Sequence, residues 1–158
     1  MTGSRRMSAG LCGLMVLVLC GTACTSSAEK LEPIATKTVR DKASQVLGEL
    51  RSTTPPTPES IDRAVTKILE GWNIGGATVL LGKDIPAAGR FTARFALLSF
   101  VGGGVNGEYI QYAVRLCVSY TGDVSRPSST EMTDLACPPG LPDPSDIIPV
   151  SREVKLTE

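Results

Sequence analysis

The fold is decided by three consecutive runs, RFTARFALLSFV (90–101), GGGVNG (102–107) and EYIQYAVRLCVSY (108–120). In the first, Phe91, Ala93, Phe95 and Leu97 alternate with Arg90, Thr92 and Arg94. In the third, Ile110, Tyr112, Val114, Leu116, Val118 and Tyr120 share one side. A period of two marks a strand with one buried face. The run between them is rich in residues that accept positive φ, as hairpin connections require. A hairpin centred between Gly104 and Val105 sets Phe95 opposite Val114, Leu97 opposite Tyr112 and Phe91 opposite Val118. On the other face the same register sets Thr92 opposite Cys117 and Arg94 opposite Arg115. Both apolar sets then fall on one side, which is what a single buried face demands.

Upstream the period is helical. Val39, Ala43, Val46, Leu47 and Leu50 form one stripe, predicting a helix over residues 38–51 that ends before Pro55-Pro56. Thr57 then reads as an N-cap, with Pro58 at the first helical position and Glu59 in the positive first turn. Ile61, Ala64, Val65, Ile68, Leu69 and Trp72 continue at helical spacing until Gly71, Gly75 and Gly76 supply stop signals. Residues 77–81 are a short apolar run, and 131–137 read as a further strand. Residues 138–149 hold five prolines, too many for a central strand. Val150, Val154 and Leu156 fit either a last edge strand or a loose tail.

The expected architecture is α+β, with two N-terminal helices packed on a curved antiparallel β-meander of four to five strands. By analogy alone this resembles cystatin-like or nuclear-transport-factor-like rolls, folds that host unrelated tasks.

The chain starts with an address. Arg5 and Arg6 precede an uncharged run from Ala9 to Leu19. That run is shorter than the ~20 residues needed to cross a bilayer and fits a secretory signal. Gly21-Thr22-Ala23-Cys24 resembles the lipobox of bacterial lipoproteins, with Gly21 standing where leucine is usual. The resemblance implies lipid on Cys24, which becomes the mature N-terminus. Ser4-Arg5-Arg6 also looks like the start of a twin-arginine signal, leaving the export route open. With its Ala/Gly/Arg/Thr usage, the chain is similar to small secreted lipoproteins of high-GC Gram-positive bacteria. The expected division is a signal peptide at 1–23, a lipidated tether at 24–35, an α+β domain at 36–137 and a Pro-rich C-terminal segment at 138–158.

Cysteine arithmetic agrees with export. Cleavage removes Cys12 and Cys20, lipid occupies Cys24, and Cys117 and Cys137 remain. In an oxidising compartment they are expected as a disulfide. Two buried thiols or a metal pair are the alternatives, and two cysteines in a chain without histidine make a poor zinc site. Loss of Arg5 and Arg6 leaves fourteen cations against sixteen acids, a balance of −2. No basic footprint points to nucleic acid.

Chemical motifs match poorly. Gly102-x-Gly104-x-x-Gly107 fits the dinucleotide pattern, but a strand rather than a helix follows it. Residues 76–83 resemble a phosphate loop with one residue too many, and Asp84 replaces the magnesium-binding Ser or Thr. Ser27 and Lys30 match S-x-x-K in a polar stretch, without companion motifs. The absence of histidine removes the usual general base. Asp84 and Asp123 read as turn residues, and Asp143 and Asp146 as solvated loop.

One constellation stands out. Arg94 and Arg115, directly opposed, would repel unless an anion or an internal carboxylate compensates them. The internal carboxylate is the plainer reading. With Tyr109 and Gln111 nearby, this outer face is the candidate ligand-binding surface, for an anionic ligand or an envelope protein. The functional expectation is a membrane-anchored, extracytoplasmic, non-catalytic binding or accessory module with no cofactor and no metal. The alternative is a small cell-envelope enzyme using a carboxylate pair in a roll-like pocket.

Overall fold

A computed structural model of the chain describes residues 27–71, 77–105, 108–143 and 149–157. Residues 1–26 with Cys24, Trp72, Gly75, Gly76, Asn106, Gly107 and Asp146 lie outside the described residues. Helices α1 (Ser27–Arg51) and α2 (Pro58–Gly71) precede strands β1 (Thr78–Asp84), β2 (Arg90–Val105), β3 (Glu108–Asp123), β4 (Arg126–Asp134) and β5 (Arg152–Glu153). Strands β1 to β4 form an antiparallel meander in chain order, and β5 adds to β3 in parallel. The architecture is therefore α+β, as the alternation and the helical stripes imply.

The inner layer follows the sequence pattern closely. Ala93, Phe95 and Leu97 of β2 and Val114, Leu116, Val118 and Tyr120 of β3 are fully buried. They pack against Ala35, Val39, Ala43, Val46 and Leu50 of α1. Tyr120 adds a polar tie, its hydroxyl donating to the Ala43 carbonyl at 2.9 Å while its ring meets Phe95 edge to face. Helix α2 begins as its cap predicts, with the Ser60 amide donating to Thr57 Oγ1 at 3.3 Å. Its Ile61 joins Phe91 and Val124 in a smaller cluster at one end of the sheet.

The hairpin register differs from the expected one. Phe95 pairs with Val118 rather than Val114, Leu97 with Leu116, and Phe91 with Gly122. Val105 pairs with Glu108, so the link is Asn106-Gly107. Every partner moves by four residues. An even shift preserves which side chains share a face, so the periodicity was satisfied by both registers. Arg94 consequently faces Ser119, Thr92 faces Thr121, and Arg115 faces Leu98.

The long ribbon also corrects the tether. Sixteen residues in each of β2 and β3 extend ~53 Å, whereas a helix confined to 38–51 would cover only ~21 Å. Helix α1 instead starts at Ser27 and continues through Pro33. Its added turns seat Leu31 over Gly103, where a Cβ would lie 3.3 Å from Leu31 Cδ2. Ala35, expected at the end of a solvated tether, is completely buried.

Strand β4 starts earlier than expected, at Arg126 rather than Glu131, with Pro127 tolerated on an edge strand. The Asp123 carboxylate closes the preceding turn, accepting from the Ser125 amide at 2.8 Å and its hydroxyl at 2.5 Å. Those donors hold Asp123 below the usual carboxylate range.

Candidate functional site

The proposed arginine pair does not exist as a pair. Arg94 and Arg115 occupy the same outer face, but their register positions lie four residues apart, ~13 Å along the strands. Arg94 is exposed. Arg115 is only 6% exposed, because the chain beyond Cys137 lies against it. Its Nη2 donates to the Pro142 carbonyl at 2.7 Å and approaches Asp143 at 3.5 Å, while Nη1 lies 3.7 Å from Glu153. Internal carboxylates compensate this guanidinium. Asp143 is an exposed loop acid, as the sequence implies, and it also organises the segment by accepting from the Val150 amide at 3.2 Å.

Two devices pin this C-terminal cover. Cys117 and Cys137 form a disulfide across a separation of 20 residues. Backbone bonds then sew the chain to β3, with the Leu135 amide donating to the Cys117 carbonyl at 3.0 Å. The Ser151 amide donates to Ala113 at 2.8 Å and the Val154 amide to Arg115 at 2.9 Å. The open choice for residues 150–156 is thus resolved as a short parallel strand with Val154 buried in the core. Tyr109 and Gln111 sit further along the outer face. Tyr109 is 71% exposed and Gln111 half-buried, and neither adjoins Arg94 in the register.

The structure brings together a different group of residues. Between α1 and β5 runs an open groove of about 470 Å³, lined by Glu32, Pro33, Thr36, Lys37, Arg40, Asp41, Arg152 and Val154. Glu32 is its hub: one carboxylate oxygen accepts from the Tyr112 hydroxyl at 3.1 Å and the other pairs with Arg152. Arg152 and Tyr112 together hold the Glu32 carboxyl below its ordinary range. Burial and the Glu32 charge push the Tyr112 phenol up. Lys37 pairs with Asp41 one turn on, at 2.6 Å. The Arg40 guanidinium closes on the Lys155 carbonyl with two bonds of 2.9 and 2.6 Å.

Sequence reading missed this groove for two reasons. Its α1 wall lay in the supposed tether, and its other wall lay in a segment without periodicity. The one available signal was the mixed charge of Glu32, Lys37, Arg40 and Asp41, with Lys37 and Asp41 at helical i,i+4 spacing.

A second missed feature is Lys42, buried among apolar neighbours of the α1 stripe. Its Nζ donates to the Leu98 carbonyl at 3.0 Å, and burial lowers the pKa of its ammonium group. Among the described residues no group of three His, Cys, Asp or Glu is placed to hold a metal ion. No described helix is long and apolar enough to cross a membrane. No protein-family model matches the chain, and no curated protein or solved structure resembles it at a significant level.

Proposed function

We propose that this chain is a lipid-anchored, extracytoplasmic binding or accessory module without a catalytic role. The observation that carries the reading is the Cys117–Cys137 bridge. It leaves Cys24, at the end of the lipobox-like Gly21-Thr22-Ala23, as the one cysteine of a processed chain without an assigned partner. A disulfide of this kind persists in oxidising compartments, consistent with an exported chain.

The groove between α1 and β5 is the candidate binding surface. Its charged groups are engaged with one another or with backbone carbonyls, so they shape its walls. Glu32 is held ionised by Arg152 and Tyr112, whereas a general acid needs a carboxyl held high. Mixed charge over Pro33 and Val154 suits a polypeptide segment better than a single anion.

The test is made on full-length protein produced in a lipidating host. Intact mass and detergent partition should show a chain that begins at Cys24 with lipid attached, and Cys24→Ala should stay in the aqueous phase. An unmodified Cys24 would end the anchored reading. A photo-crosslinker at Thr36, inside the groove, should join an envelope polypeptide in native membranes, and Lys37→Glu should abolish that product. Crosslinking unaffected by the charge reversal would remove the groove from the proposal.

A further inference from the structure

The end of the molecule that receives the anchor is also the end that exposes its apolar side chains. Three peptide links separate Cys24 from Ser27, a leash of at most ~11 Å. Helix α1 then advances ~6 Å to Leu31, which sits on the inner side of the β2–β3 ribbon at Gly103. On the outer side, at the adjacent Gly102, lies the ring of Tyr109. A Cβ at position 102 would overlap that phenol, so the glycine lets the ring lie flat on the strand. Tyr109 and Ile34 are the exposed large hydrophobic residues among those described, at 71% and 54%. Both belong to this end. The opposite end of the ribbon, at Asp123, lies fourteen residues beyond Tyr109, ~46 Å away.

We infer that this distal end, made of the first turns of α1 and the ribbon around Tyr109, is the face that rests on the lipid bilayer. The inference rests on the lipid-anchor reading and adds an orientation to it. Tyrosine suits the position, because an apolar ring with a polar hydroxyl partitions to the headgroup boundary. Glu29, Lys30, Glu32 and Lys37 on the adjoining helix sum to zero charge, so the contact is apolar and interfacial rather than an attraction to anionic lipid. The lipid supplies attachment, and Tyr109 and Ile34 set which way the domain faces. In this orientation the α1–β5 groove opens beside the membrane and the β3–β4 turn points away from it.

The experiment uses lipidated, disulfide-bonded protein in vesicles. Trp72→Phe removes the single tryptophan of the chain. Tyr109→Trp or Arg126→Trp then places a reporter at one end or the other. Brominated lipids should quench the reporter at 109 several-fold more than the one at 126, and equally in neutral and anionic vesicles. If Trp72→Phe unfolds the chain, an environment-sensitive dye on Tyr109→Cys or Arg126→Cys reads the same contrast, because the remaining cysteines are bridged or lipidated.

Equal quenching at both positions, or stronger quenching at 126, overturns the orientation while leaving the anchor intact. Quenching that appears only with anionic lipid overturns the apolar basis. Intact mass on the same sample separates the two failures, since a chain without lipid removes the anchor and the orientation together.

Discussion

The two faces of the β2–β3 ribbon are built on different principles. The inner face is apolar side chains meeting an apolar helix stripe, with Phe95, Leu97, Val114, Leu116 and Val118 all fully buried. The outer face is buried around Ala96, Leu98, Ala113 and Cys117 as well, yet a charge sits among them. Its cover is irregular chain, fastened at points by the disulfide and the Arg115 guanidinium. Burial by a regular element needs only a repeated pattern. Burial by a loop needs specific fasteners, because the loop's own carbonyls must find donors.

This contrast sets an order of expected damage. Phe95→Ala on the inner face should cost about 3–5 kcal/mol, read from chemical denaturation, because it opens a cavity against α1. A loss below 1 kcal/mol would mean that the helix collapses onto the sheet, and the inner face would no longer be the rigid one. On the outer face, Cys117→Ser with Cys137→Ser should cost roughly 3 kcal/mol, since the bridge closes a loop of about 20 residues in the unfolded chain. An unchanged melting midpoint would show that Arg115 and the backbone bonds to β3 hold the cover without the bridge.

Replacing Arg115 by Met keeps the bulk but strands the Leu141 and Pro142 carbonyls. It should cost about 1–3 kcal/mol and, more tellingly, speed proteolysis within 138–143. Arg94→Gln is the control: its side chain is exposed, so the change should stay within about ±0.5 kcal/mol. Equal effects for the two arginines would erase the distinction between a buried fastener and a surface charge.

The smallest effect is electrostatic and lies at the groove. Glu32 is held below its ordinary pKa in the folded state by Arg152 and Tyr112. A depressed carboxylate contributes stability that is present above its unfolded pKa and lost as pH falls toward the folded one. The melting midpoint should therefore decline through the acidic carboxylate range, and Glu32→Gln should flatten that decline. A variant with an unaltered acid limb would transfer the effect to other carboxylates.

What was legible in the sequence follows the same division. Alternation assigns Phe95 and Val118 to the inner face because a regular element repeats its environment every second residue. Alternation fixes the register only modulo two, so hairpins centred on Gly104-Val105 and on Asn106-Gly107 satisfied it equally. Asn-Gly is the stronger hairpin signal, and weighting the turn chemistry would have found the observed pairing. The helix over 27–37 was hidden by Pro33, since a proline normally argues against the helix interior. Only the length of the ribbon, a tertiary fact, shows why the helix must reach that far. The fate of Arg115 depends on chain 26 to 38 residues away along the sequence, at Leu141 and Glu153. No local pattern records such a contact, and the groove at Glu32 and Arg152, 120 residues apart, was invisible for the same reason.

That separation has a consequence for how the molecule is assembled. Helix α1 is grasped by residues more than a hundred positions further along the chain, with Arg152 on Glu32 and the Lys155 carbonyl on Arg40. Closing so large a loop is entropically slow, although each doubling of its length adds only ~0.6 kcal/mol. Local pairs such as the β2–β3 hairpin can form as the chain emerges, whereas β5 must wait until residues 152–156 are free. A chain emerging with its N-terminus first would therefore hold its sheet before it holds its groove. The groove closes only once Arg152 and Lys155 are free to reach Glu32 and Arg40.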